Sequence, residues 1–216
     1  MAVRVYLEVG SKRVFASAAD WPGWSRSGKD EAGALAALVA AGPRYRKVAE
    51  RAGLKLEPVD AGGLDVSERL QGSATTDFGA PGAIAESEAR TLSPAEAERS
   101  EALLRACWEL FDEVVAGAPP ELKKGPRGGG RDRDQIAEHV LGAEGAYATK
   151  VGLRLKPPSW RDRTAVSEWR EALLEALRSD ALEASRDPKR WPPAYAARRI
   201  AWHAVDHAWE IEDRKP

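Results

Sequence analysis

The sequence predicts an α+β N-terminal domain followed by an all-α antiparallel four-helix bundle. Three observations carry this expectation. Residues 2–9 alternate apolar and polar side chains with period two, as a half-buried strand does. From residue 93 onward, apolar residues recur with helical period in four long segments joined by loops. Between the two parts, residues 71–92, "QGSATTDFGAPGAIAESEARTL", follow neither period. They read as a linker between a domain over 1–70 and a bundle over 93–216.

Taken in order, "AVRVYLEV" sets Val3, Val5, Leu7 and Val9 against Arg4, Tyr6 and Glu8, and "GSK" turns the chain into a return strand, "RVFASAAD". "WPGWSRSG" is punctuated by Pro22, Gly23 and Gly28 and reads as a loop or a short strand. Asp30 is placed to cap a helix through "EAGALAALVAAG", which should stop near Gly42-Pro43, with "PRYRKVAERAGL" as a second short helical piece. "LEPVD" and "LDVSERLQG" suggest at least one further strand. Ser93-Pro94 has the form of a helix start, and that helix stops at Gly117. Residues 118–133 are a loop, and Asp134 opens a second helix over 134–152. Thr164 can cap a third, which ends at "RDPKRWPP", and the fourth runs from about Ala194 to Arg214.

Composition narrows the function classes. A net charge of −1 gives no electrostatic case for nucleic acid. No apolar run is long enough to span a bilayer, and the N-terminus alternates instead of forming a signal-peptide block. The single cysteine, Cys107, allows no internal disulfide and reads as core packing in a cytoplasmic protein.

The chain has only three histidines. His203 and His207, in "WHAVDHAWEIEDR", are four residues apart and share one side of the last helix. His139, in "IAEHVLGAEG", sits on the second long helix beside Ile136, Val140 and Tyr147. Inward-facing histidines from two bundle helices can meet and offer three imidazoles to a divalent metal, with positions left open for water or substrate. Imidazole suits zinc, nickel, iron or copper alike. Zinc or nickel is the leading expectation. The pair is not a zincin motif, because Ala204 stands where the general-base glutamate belongs. Glu138, Asp206 and Glu210 are candidates to accept the histidines' second N–H groups. Arg199, one turn before His203, is a candidate to pair with a substrate carboxylate. Buried or surface histidines with no ligand are the competing reading.

At these residues the C-terminal half resembles the DinB superfamily of metal-binding four-helix bundles. Members carry one histidine on the second helix, like "IAEHVLGAEG", and an HxxxH pair on the last, like "WHAVDHAWEIEDR". The resemblance covers about residues 93–216 and implies His139, His203 and His207 as the metal triad. It also implies a metal-dependent transferase or isomerase that uses a low-molecular-weight thiol such as mycothiol or bacillithiol against an electrophilic substrate. The N-terminal half is similar, over about residues 1–70, to the HicB-like domain, through "VYLEV", "VFASAADWPGW" and "DEAGALAALVAA". That implies a competing function, a non-catalytic module whose N-terminal domain binds a partner while the bundle is structural. A thiol and an electrophile are the expected small-molecule partners, no nucleic acid or membrane is expected, and a homodimer is left open. Trp21 and Trp24 read as packing residues, and "KKGPRGGGRDR" as a solvated loop.

Overall fold

The structure is a computed structural model that describes residues 2–125, 129–182 and 189–216. It is a mixed α+β fold. Four strands, β1 (Val3–Val9), β2 (Val14–Ala18), β3 (Ser25–Gly28) and β4 (Leu64–Gln71), form one sheet in the order β3-β2-β1-β4. Only β1 and β4 run parallel, and α1 (Glu31–Arg51) supplies the crossover between β3 and β4. Two short helices follow, α2 (Ala74–Phe78) and α3 (Glu86–Ala89). Four long ones complete the chain: α4 (Pro94–Ala116), α5 (Arg133–Lys150), α6 (Arg163–Leu182) and α7 (Pro193–Asp213). α7 packs against α4, α5 and α6.

The alternation in β1 does set one buried face. Val3, Val5 and Leu7, with Val14, Ala16 and Ala18 of β2, join Ala34, Leu38, Tyr45 and Val48 of α1 in one apolar cluster. The opposite face is buried as well beyond Arg4, which is exposed. Tyr6 and Glu8 are 1% and 0% exposed, so the polar half of the pattern marks a second interface and not solvent. Phe15 meets Trp202 of α7 edge-on, with ring centroids 6.0 Å apart. Arg26 of β3 pairs with Asp206 of α7 at 2.7 Å and lies over the Trp209 ring. The sheet is therefore enclosed between α1 and α7, and the core cluster runs without a break from the strands into the long helices.

The helix starts follow the expected chemistry, with small shifts. Asp30 accepts from Gly33 N, and Ser93 makes a reciprocal capping box with Glu96 ahead of Pro94. Asp132, two residues before the expected Asp134, boxes with Gln135 to open α5. Asp162, not Thr164, receives the N-terminal amide of α6, from Ala165 N at 3.0 Å. The larger departure is at Pro43, where the expected break does not occur and α1 continues to Arg51. Proline removes a backbone donor and crowds the turn before it. Trp24 packs on either side of it. Its Nε1 donates to Leu38 O at 2.9 Å, and its ring stacks on Tyr45 at 5.4 Å. Gly42 leaves room for that ring, since a Cβ there would lie 3.3 Å from it. Both halves of α1 are thus held against one indole.

Residues 71–92 are ordered by buried polar groups. Glu8 accepts from Gly82 N (3.0 Å), Ala83 N (2.9 Å) and the Thr76 hydroxyl. Arg198 of α7 bonds Glu88 at 2.5 Å and the carbonyls of Pro81 and Ala83, while Tyr195 donates to Gly82 O. Tyr6 donates to the same Glu88 carboxylate. The segment is clamped between β1 and α7 by charges taken out of water, which requires each one to be paired. A second such pair, Glu144 of α5 with Arg170 of α6 at 3.2 Å, is completed by the Trp108 indole of α4. The expected end of the third helix at Arg186-Asp187 and part of the glycine-rich loop lie outside the described residues.

Arg198→Met leaves Glu88 buried without its counter-ion, which should cost about 3–5 kcal/mol of folding free energy in urea denaturation. A loss below about 1 kcal/mol would mean that the clamp contributes little.

Candidate metal centre

α5 and α7 bring the three histidines together. The centroids of the His139 and His203 rings lie 5.0 Å apart, those of His139 and His207 5.0 Å, and those of His203 and His207 4.6 Å. Their four-residue spacing on α7 stacks His203 and His207 one turn apart. His139 faces them across the α5–α7 contact. One potential donor atom from each ring lies within 4.8 Å of the others. Around a tetrahedral ion with bonds of about 2.1 Å, donor nitrogens sit roughly 3.4 Å apart, so shifts on the order of an ångström bring the rings to bonding distance. The three histidines could hold a metal ion.

The cluster has a floor and a rim. His203 is 7% exposed, on a stretch of α7 buried without interruption from Tyr195 to Val205, while His139 and His207 are partly exposed. His139 lies at the border of the buried face of α5, whose deepest residues are Ile136, Ala137, Val140, Leu141 and Glu144.

Burial pushes the His203 imidazole down to about 2, helped by His207, His139 and the cations Arg199 and Arg131. His139 is also lowered, first by burial and then by Arg131 and His207. Both are held as neutral imidazoles, the form that ligates. His207 bonds Glu210 Oε2 through Nδ1 at 2.7 Å. That contact engages Nδ1 and orients the ring, so Nε2 is the ring nitrogen left to ligate. Burial alone would raise the Glu210 carboxyl, yet its bonds and charge contacts with His207 and Arg214 hold it below the ordinary value. Arg214 in turn donates from Nη1 to Glu210 at 2.6 Å and from Nε to Lys123 O at 2.8 Å, tying Lys123, just after α4, to the site. His203 Nδ1 is buried with no hydrogen-bond partner. Such an atom costs roughly 1–3 kcal/mol if left bare, and this fits a cluster that takes a ligand.

The remaining candidates separate. Glu210 is in contact with the triad through His207. Glu138 is exposed and makes no hydrogen bond or ion pair among the described residues. Asp206 turns to the sheet and pairs with Arg26. Arg199 is 6% exposed, donates to Pro81 O at 2.9 Å and to the Tyr147 hydroxyl at 3.3 Å, and Tyr147 stands 6.0 Å from His203. Sequence reasoning assigned no site role to Tyr147, Trp202, Arg131 or Arg214. The Glu210-to-Arg214 spacing of four was a readable signal, whereas the Trp202 and Arg131 contacts depend on tertiary packing. Cys107 is buried, and burial raises its thiol, so it is no nucleophile. Trp24 is in the core, and Trp21 packs edge-on against Tyr45 beneath Arg99.

The depressed histidines set a pH dependence. The unfolded chain takes up their protons near pH 6.5, while the native state does not. Stability is therefore complete above about pH 6.5 and falls as the pH drops below it, by at most about 1.4 kcal/mol per pH unit for each such histidine. Urea midpoints in chelator should decline from pH 7.5 to 5, and His203→Gln should flatten the decline. A midpoint constant over that range would contradict neutral burial.

No family model, curated protein or solved structure matches the chain, so the site rests on its own geometry.

Proposed function

We propose that this chain is a DinB-like metal protein in which His139, His203 and His207 hold one divalent ion, with zinc or nickel as the candidates, and that it acts as a thiol-dependent transferase or isomerase. The observation that carries the reading is the convergence of the only three histidines of the sequence at one point between α5 and α7. Helix order supports the same reading, with one histidine on the second long helix and two on the fourth. An ion bound there would act as a Lewis acid and lower the pKa of a small thiol that reaches it.

The protein's own part is to prepare the ligands. Burial keeps His203 unprotonated, and the Glu210 carboxylate orients the His207 ring. Tyr147 and Trp202 pack their rings beside His203, and Trp191 packs behind Tyr147. The thiol chemistry fits a site with no protein nucleophile, because Cys107 is buried elsewhere in the core. Among the described residues no helix is long and apolar enough to cross a membrane.

Protein purified without a histidine tag should carry one ion per chain by elemental analysis, and its melting temperature should rise with added metal and fall in chelator. His139→Ala and His203→Ala should each abolish the ion. Glu210→Gln should keep the site but weaken metal affinity about 10–100-fold. Turnover of an electrophile should require added thiol. Protein that takes up no zinc or nickel, with a melting temperature indifferent to both, would refute the metal reading. A metal-loaded protein inert with every small thiol would refute the transferase reading alone.

A further inference from the structure

Six buried side-chain polar atoms among the described residues lack a hydrogen-bond partner. Three of them, Arg199 Nε, Trp202 Nε1 and His203 Nδ1, lie within little more than one turn of α7. Helical spacing places these side chains on neighbouring positions of one face, and the contacts agree. The Arg199 guanidinium lies 5.2 Å from the Trp202 ring and 5.4 Å from the Tyr147 ring. The Trp202 and His203 rings are 6.0 Å apart. All three therefore border the inner side of the histidine cluster.

Arg199 differs from the other buried arginines of the fold. Arg170 is paired with Glu144 and Asp112, and Arg198 with Glu88. Among the described residues Arg199 bonds only a carbonyl, Pro81 O, and a neutral hydroxyl, that of Tyr147, and no carboxylate. A guanidinium removed from water without a counter-ion is among the costliest arrangements in a protein interior. Its planar fork suits two parallel bonds to a carboxylate. The adjacent indole offers a further N–H that can only donate.

We propose that Arg199 and Trp202 form the carboxylate-binding subsite of this centre, so that the ligand taken beside the histidines is a small molecule bearing a carboxylate. The proposal rests on the reading of the triad as the ligand site. In it, Arg199 Nε and Trp202 Nε1 donate to the carboxylate oxygens, and the Tyr147 hydroxyl and Pro81 carbonyl hold the guanidinium in place. The rest of the molecule extends toward the triad. Arg199 thereby acts as a binding residue that sets the ligand's charge and orientation, and Trp202 supplies both a stacking surface and a donor.

The test uses the full chain in a buffer free of carboxylates, with acetate and succinate as probes, acetamide as the neutral control and chloride to match ionic strength. Two readouts are taken, with zinc and with chelator. One is the melting temperature. The other is the indole N–H resonance of Trp202, assigned by its loss in Trp202→Phe. Acetate and succinate should raise the melting temperature and move that resonance downfield, while acetamide and chloride do neither. Arg199→Gln should weaken carboxylate binding at least about tenfold and leave zinc uptake intact. Arg199→Lys, which retains the charge without the fork, should bind with intermediate strength, and it keeps the test decisive if Arg199→Gln does not fold. Wild-type protein that binds zinc but shows no carboxylate response in either state would overturn the subsite and leave the metal reading standing. Carboxylate binding undiminished in both Arg199 variants would overturn it too. A response that depends on Arg199 in protein unable to take up zinc would uphold the subsite and refute the metal reading.

Discussion

The rest of the structure depends on the burial of a charged helix. α7 runs through the middle of the molecule with no exposed residue from Tyr195 to Val205, and that stretch contains Arg198, Arg199 and His203. Alanines at 196, 197, 201 and 204 let neighbouring elements approach closely, while the polar side chains among them must each find a partner away from water. Arg198 finds Glu88 and the 81–83 carbonyls and so fixes the segment that joins the two halves of the chain. Arg26, Asp206 and Trp209 fix the sheet to the same helix. The histidine cluster is one more consequence of that constraint, since His203 is carried into the interior by the turns on either side.

That placement also sets the chemistry. Burial comes first among the causes that keep His203 neutral, and cations nearby work in the same direction. Neutral imidazoles at mutual distances of about 5 Å between centroids are poor electrostatic company for one another when protonated and good ligands when not. The Glu210–Arg214 pair completes the arrangement from the solvent side. It orients His207 and ties the loop after α4 to the end of α7. On the inner side Arg199 bonds the Pro81 carbonyl and the Tyr147 hydroxyl and, among the described residues, pairs with no carboxylate.

Local periodicity made the mixed fold and the long helices readable, because strand alternation and the Ser93-Pro94 start depend on neighbours in sequence. The triad was also readable, since its residue types are scarce and their helical spacing is local on α7. Long-range effects explain what was not. Pro43 lies inside an unbroken α1 where Trp24, nearly twenty residues earlier, bonds the Leu38 carbonyl before it and stacks on Tyr45 after it. Glu8 reads as the solvent side of a strand, yet it is fully buried against backbone amides of residues 82 and 83. Asp206 sits beside His207 in sequence, but one helical step rotates it by about 100° toward Arg26. Glu210, three residues on, returns to the histidine face.

The central claim is that three histidines from two helices share one ion. X-ray absorption at the zinc edge of the zinc-loaded protein addresses it directly, because multiple scattering from imidazole rings counts histidine ligands. The account predicts three imidazole nitrogens at about 2.0–2.1 Å, with the remaining coordination from exchangeable ligands such as water. In His139→Ala the imidazole count should fall. A shell dominated by oxygen with one imidazole or none, or a spectrum unchanged by His139→Ala, would contradict it.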